Sequence, residues 1–337
     1  MSILLTGAAG FIGAHVARAL LAQGETVIGV DDFNPYYDVG LKQARVAALA
    51  GKPGFTMHRL DIADRACMTA LAEANREITA IVHLAAQAGV RHSMIDPYAY
   101  VHANVMGHLV VQEVARRLPK LAHLVYASSS SVYGANRDLP FAEADRVDTP
   151  VSLYAATKRA DELMAHAYAH LYALPQTGLR FFTVYGPWGR PDMAYYSFAK
   201  AIVEGRPITL YDGGVLRRDF TYIDDIVAGV LGCIPRPPDG ALPARVLNIG
   251  NHRSERVDTL IALLETGLGR RAVIENVPRP AADVEETFAS VDAIGALTGY
   301  APRTSLAEGV PKFVAWFADW HGIPVPEQGA ARKESAK

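Results

Sequence analysis

The chain has 337 residues, half of them hydrophobic, with 33 basic against 35 acidic side chains and a formal net charge of −2. That length suits one large α/β unit with a smaller lobe, and so even a charge balance argues against nucleic acid as a partner. No apolar run reaches membrane-spanning length, and the apolar N-terminus lacks the basic start of a signal peptide. Cys67 and Cys233 stand far apart and outside any metal spacing, so buried, reduced thiols in a cytoplasmic protein without a metal site are expected.

In chain order, the apolar run Ile3-Leu4-Leu5 leads directly into Gly7-Ala8-Ala9-Gly10-Phe11-Ile12-Gly13, and a helical apolar pattern follows. A dinucleotide pyrophosphate needs this arrangement. Gly7 permits the tight turn, Gly10 lets the backbone approach the phosphates, and Gly13 lets the helix pack on the sheet. The helix N-terminus then faces the anion with unpaired N–H groups. Gly7, Gly10, Phe11, Ile12 and Gly13 are therefore candidate cofactor contacts. Asp31 and Asp32 end the next apolar run, about twenty residues on, where a carboxylate takes the adenosine ribose hydroxyls and repels a 2′-phosphate. NAD is expected rather than NADP, with Asp32 adding to the repulsion.

Strands are expected at 3–6, 26–30, 55–60, 80–84, 122–127 and 177–182, with long helices at 97–118 and 152–173. This alternation gives a Rossmann-type, doubly wound parallel sheet. Residues 1–185 are read as the dinucleotide-binding domain and 186–325 mainly as a smaller substrate lobe that returns segments to the sheet. Residues 326–337 are read as a disordered tail. At the ends of the third and fourth strands, Asp61-Ile62 and Leu84-Ala85-Ala86 are further cofactor candidates, the first at the adenine edge and the second for close backbone approach.

The chemistry falls in Ser128-Ser129-Ser130-Ser131-Val132-Tyr133-Gly134 and Tyr154-Ala155-Ala156-Thr157-Lys158. Tyr154 and Lys158 are four apart on an expected helix and share a face. An ammonium beside a phenol favours the phenolate, and such a tyrosine can take the proton of a sugar hydroxyl as hydride leaves the same carbon.

Together these segments resemble the extended short-chain dehydrogenase/reductases, specifically the nucleotide-sugar epimerase/dehydratase group, from residue 1 to about 320. The resemblance implies a catalytic set of Tyr154, Lys158 and Ser129, with Ser128 and Ser130 near enough to assist. Ser130 and Ser131 stand where dehydratases and decarboxylases of the group carry acids, which leaves reversible hydride transfer. Asn34-Pro35-Tyr36-Tyr37-Asp38 with Lys42 and Arg45, Ala88-Gly89-Val90-Arg91-His92-Ser93, and Thr183 through Ala194 are similar to UDP-glucuronate 4-epimerases. By that resemblance Arg91, Thr183 and Arg190 belong to the substrate site, and a bidentate Arg190 suits a C6 carboxylate. Arg218 is implied as a diphosphate contact, and Arg279 as a second, in a segment one residue out of the usual register. NAD, a UDP-sugar and a homodimer paired through the two long helices are implied as cofactor, substrate and assembly. The same scaffold also serves UDP-galactose and UDP-N-acetylhexosamine epimerases and UDP-glucuronate decarboxylases.

Overall fold

Ile3, Leu4 and Leu5 are all buried, and their alternation decides how the sheet is covered. Along strand β1 (Ser2–Thr6), Ile3 and Leu5 join one apolar cluster and Leu4 another, the period-two pattern of a strand with helices on both faces. The computed structural model describes residues 1–279 and 285–326. In it, β2 (Thr26–Asp31), β3 (Phe55–Arg59), β4 (Ala80–His83), β5 (His123–Ser129) and β6 (Gln176–Phe181) are joined by β7 (Ala244–Ile249). All seven are parallel, in the order β7-β6-β5-β4-β1-β2-β3. The order reverses beside β1, and a crevice opens there at the carboxyl ends of the strands.

The six expected strands are present, shifted by at most two residues at an end. Strand β7 was not among them, because Arg245 and Asn248 interrupt its apolar character and a proline-rich stretch precedes it. Helices α1 (Phe11–Ala22), α2 (Val39–Ala47) and α3 (Arg65–Ala74) follow the first three strands. Helix α4 runs from Pro97–Tyr100 through a π turn, Val101–Met106, to Gly107–Ala115, three residues short of the expected end. Helix α5 (Leu153–Tyr172) starts where the Ser152 hydroxyl accepts the Ala155 N–H at 3.1 Å, an N-cap that places Tyr154 in the first turn and Lys158 in the next.

The smaller lobe is built from short pairings: Thr183–Tyr185 with Phe220–Tyr222, Pro207–Tyr211 with Val273–Val277, and Arg217–Arg218 between Glu255–Arg256 and Glu286–Thr287. A buried carboxylate stitches it together. Asp219 accepts hydrogen bonds from the Asn251 N–H (2.7 Å), the Thr221 hydroxyl (2.8 Å) and the Ala289 N–H (3.2 Å). Burial pushes its carboxyl up to about 6.

Cys233 is buried as expected, but Cys67 is exposed. It sits in the first turn of α3, whose buried face is carried by Met68, Leu71 and Ala72. The expected tail, apart from Pro326, lies outside the described residues. Among the described residues no helix is long and apolar enough to cross a membrane.

Candidate active site

The glycine turn leaves a hollow that side chains would close. Gly7 has φ +72°, and a Cβ there would come within 2.7 Å of the Ala85 nitrogen; one at Gly13 would overlap the Gly7 carbonyl oxygen. Gly7, Gly10, Phe11, Ile12 and Gly13 line a crevice of about 1070 Å³. Asp31, buried at the end of β2, accepts the Ala9 N–H at 3.1 Å and the Phe33 N–H at 2.9 Å, which ties this acid to the turn itself. Burial raises its carboxyl, opposed by Lys42 at 3.8 Å. Asp32 accepts the Asn34 N–H at 2.8 Å, so this corner holds two acids and one cation. Asp61, paired with His102 at 2.7 Å, shares the same wall with Ile62, Leu84, Ala85 and Ala86. These groups fit a dinucleotide: backbone donors for phosphates, a hollow free of Cβ atoms, and a fixed acid for ribose hydroxyls.

On the opposite wall β5 ends in the serine run. Ser129 caps a short 3₁₀ turn, its oxygen accepting the Ser131 N–H (3.2 Å) and hydroxyl (2.9 Å). Ser128 is committed elsewhere, for its hydroxyl donates to Glu162 at 2.6 Å. Glu162 also takes the Arg180 fork at 2.8 and 2.9 Å; burial opposes its ionisation, but Arg180 holds its carboxyl below the usual range. Ser128 lines the crevice with Ser129, Ser130 and Tyr154, but its hydroxyl belongs to a buried staple between α5, β5 and β6. Tyr154 packs edge-on against Tyr100, with ring centroids 6.0 Å apart. Lys158, 2 % exposed, donates from Nζ to Asp161 at 2.7 Å. Asp161 is fully buried, its second oxygen has no hydrogen-bond partner, and burial lifts its carboxyl to about 6 against the pull of Lys158.

Thr183, Arg91, Arg190 and Arg218 reach the crevice from the smaller lobe and the segment after β4. Their cations are already engaged. Arg190 donates from Nε to Asp192 Oδ1 (3.0 Å) and from Nη2 to Oδ2 (2.6 Å). Arg218 Nη1 donates to the carbonyls of Arg217 (2.8 Å) and Glu285 (3.1 Å), and Arg91 lies over the Tyr211 ring at 5.9 Å. Arg279 is not brought to the crevice wall. It sits beside Asp212 (3.5 Å) and Glu285 (3.7 Å), and ties lobe segments together. Among the described residues no cluster of His, Cys, Asp or Glu converges as a metal site.

Residues 3–250 match the model of the NAD dependent epimerase/dehydratase family. The chain belongs to that family. It is 48% identical over 333 residues to a probable UDP-glucuronate 4-epimerase of Rhizobium meliloti (strain 1021), covering 94% of this chain and 97% of the relative. It is 45% identical over 335 residues to UDP-glucuronate 4-epimerase 1 of Arabidopsis thaliana, covering 96% and 78%. A crystal structure of UDP-glucuronic acid 4-epimerase from Bacillus cereus, in complex with UDP-glucuronic acid and NAD, superposes with a TM-score of 0.87 at 33% identity. That match covers 95% of this chain and all of the other.

Within this member of the epimerase/dehydratase family, several supporting residues escaped the sequence reading. Asn104, in the π turn, accepts the Gln87 N–H (2.8 Å) and donates to the Gln87 carbonyl (3.1 Å) and the Thr157 hydroxyl (2.9 Å), which pins the loop after β4 against α5. No local pattern announces a π turn, and such turns gather at functional sites. Arg45 spans the two walls, donating to the Ala9 carbonyl (3.0 Å) and twice to the Trp188 carbonyl (2.6 and 3.1 Å). Its segment was singled out but its partners were not. Asp192 lay inside a quoted motif, two residues past the arginine it binds.

Proposed function

We propose that this chain is an NAD-dependent UDP-glucuronate 4-epimerase, interconverting UDP-glucuronate and UDP-galacturonate through a 4-keto sugar that turns over in the site. The observation that carries this reading is one crevice lined together by the glycine turn, by Tyr154, Lys158 and Ser129, and by Thr183 and Arg190. When bound, NAD supplies a reversible hydride acceptor. Gly7 and Gly10, whose own N–H groups go to the Val30 and Gly7 carbonyls, leave room for its phosphates, the first-turn N–H groups of α1 at Phe11, Ile12 and Gly13 face them, and Asp31 takes its adenosine ribose. Residues 1–185 carry most of this half, and 186–325 most of the sugar half.

Tyr154, as phenolate, takes the proton of the sugar 4-hydroxyl as hydride leaves C4, and returns a proton to the C4 oxygen once the turned sugar has regained hydride on its opposite face. Lys158, one turn further along α5, stabilises that phenolate, and Ser129 holds the C4 oxygen by hydrogen bond. Arg218 meets the diphosphate. Thr183 and Arg190 hold the C6 carboxylate, Arg190 in charge-assisted fashion. A 4-ketouronate is a β-keto acid, and it loses carbon dioxide when the breaking bond aligns with the carbonyl π-system. Fixing the carboxylate near the ring plane suppresses that loss.

The exposed apolar side chains Tyr98 and Met106 on α4, and Leu163 and Leu171 on α5, support a homodimer paired through these two helices. Sedimentation of the purified chain tests this, a monomer at micromolar concentration speaking against it. The cytoplasm, which holds UDP-sugars and NAD, is the fitting compartment. The decisive experiment is incubation with UDP-glucuronate and NAD and resolution of the products. UDP-galacturonate is expected; UDP-pentose with carbon dioxide, or turnover of UDP-glucose alone, would overturn the reading.

A further inference from the structure

Arg190 is the cation best placed to receive the sugar carboxylate, yet its two parallel donors already hold a carboxylate of this chain. Asp192 binds them in bidentate fashion, at 3.0 and 2.6 Å, which leaves both Nη1 N–H groups and the second of Nη2 outside the pair. Both side chains line the crevice, with side-chain exposures of 22% and 24%, so a ligand can reach them. Burial opposes ionisation of Asp192, but the charge and hydrogen bonds of Arg190 hold its carboxyl below the usual range. A third group completes the cluster. The Tyr36 hydroxyl donates to Asp192 Oδ2 at 3.3 Å. Tyr36 is held in place by its stacking on His92, with centroids 4.6 Å apart, and by Gly89, where a Cβ would come within 2.6 Å of the Tyr36 oxygen. Burial, ahead of the Asp192 charge, pushes the Tyr36 phenol up to about 12, so it remains a neutral donor.

We propose that Asp192 is an exchange partner for Arg190, a positioning residue that competes with the sugar carboxylate for the guanidinium fork. This rests on the reading of Arg190 as the uronate anchor. The Nε/Nη2 edge cannot serve two bidentate carboxylates, so a uronate that takes this edge, rather than the open Nη1/Nη2 edge, displaces Asp192, which keeps the Tyr36 hydroxyl as its partner. When the sugar carboxylate departs, Asp192 takes the fork back. Arg190 is then never left as an unpaired, partly desolvated cation, a state that is costly. The competition lowers uronate affinity and speeds product release. A neutral hexose leaves the pair undisturbed, so its binding does not feel the competition.

The test measures dissociation constants for UDP-glucuronate and UDP-glucose on the NAD-loaded protein by calorimetry, with steady-state kinetics alongside. Asp192→Asn is expected to tighten UDP-glucuronate about five-fold, and to lower KM and kcat together because release slows. UDP-glucose binding should stay within about two-fold, since charge-pair coupling is confined to the uronate. Arg190→Ala leaves Asp192 as an unpaired anion facing the incoming one and should weaken UDP-glucuronate about a hundred-fold; Arg190→Ala with Asp192→Asn should regain about ten-fold of that. Tyr36→Phe, which removes the parking donor, should weaken UDP-glucuronate a few-fold and leave UDP-glucose unchanged.

If Asp192→Asn weakens UDP-glucuronate, or if the double variant binds it no better than Arg190→Ala, Asp192 is a brace for Arg190 and the proposal falls. Failure of the unaltered protein to epimerise UDP-glucuronate would instead overturn the function. If it turns over normally and Asp192→Asn changes neither KM nor kcat, only the exchange is refuted.

Discussion

The two halves of the crevice are prepared for their ligands in different ways. On the cofactor side the geometry is made by backbone: a left-handed Gly7, a Gly13 that cannot carry a Cβ, and a ribose acid bonded to the turn through the Ala9 N–H. On the sugar side it is made by side chains that already have partners, Arg190 with Asp192 and Arg218 with two carbonyls. Backbone-built sites are rigid and cannot be bargained with, whereas paired side chains must exchange one partner for another when a ligand arrives. That suits a nucleotide cofactor that stays and a sugar that turns over within the site.

The largest expected effect comes from Tyr154, which stands between the halves. Tyr154→Phe should lower kcat about a thousand-fold and leave UDP and NAD affinity within about two-fold, because the phenyl ring keeps its edge contact with Tyr100. Stopped-flow turnover and equilibrium binding measure the two separately. Retained turnover would remove the phenol from the reaction.

Next is Gly13→Ala, aimed at the rigid half. Its Cβ would overlap the Gly7 carbonyl oxygen, and backbone has no rotamer to yield. A stability loss of about 3 kcal/mol or more is expected, with loss of NAD binding; urea denaturation and NAD titration check it. A variant that folds and binds NAD normally would show the cofactor half to be softer than the comparison holds.

This difference between the halves also decided what was legible in the sequence. Glycines encode backbone requirements at the positions where they act, so β1, the turn, α1 and Asp31 could all be placed by inspection. Tyr154 and Lys158 were legible through helical spacing. The partners were not. Asp161 and Asp192 stand only three and two residues from the cations they hold and were passed over, whereas Ser128 serving Glu162 and Arg180 is set by tertiary packing. Arg279, implied as a second diphosphate contact, lies beside Asp212 and Glu285, partners that its own segment does not announce. The lobe's two- to five-residue pairings are too short to carry a period, and β7 breaks its own with Arg245 and Asn248.

A smaller effect comes from a buried acid of the sugar half. Asp219, which stitches the sugar lobe together, has a carboxyl raised from 3.8 to about 6 by burial. Between these values the folded chain holds a proton that the unfolded chain has released, so this group's effect is to lower stability as pH rises from 4 to 6. Above 6 the penalty is constant, and below 4 it vanishes. Asp219→Asn does not titrate. The stability of the unaltered protein relative to this variant should therefore fall by at most about 3 kcal/mol between pH 4 and pH 7, measured by urea unfolding at each pH. A flat difference would mean that Asp219 does not carry the proton.

The smallest effect tests whether the cofactor half is as fixed as it looks, because it contains side-chain pairs of its own, Asp31 with Lys42 and Asp61 with His102. Asp31 accepts two backbone N–H groups and lies 3.8 Å from Lys42. In Asp31→Ala the ribose hydroxyls lose their acceptor, and NAD affinity should fall about ten-fold, the scale of one charged hydrogen bond. Lys42 then stands unpaired where a 2′-phosphate would lie, so NADP should bind better than it does to the unaltered protein, and that gain should disappear in Asp31→Ala with Lys42→Ala. Calorimetric titration of the three proteins with both dinucleotides reads the six constants. If NADP improves only while Lys42 is present, the cofactor half also trades one carboxylate for another anion, and the two halves differ in the number of such pairs rather than in kind. If NADP gains nothing, backbone and sterics alone set the choice of dinucleotide, and the contrast between the halves is complete.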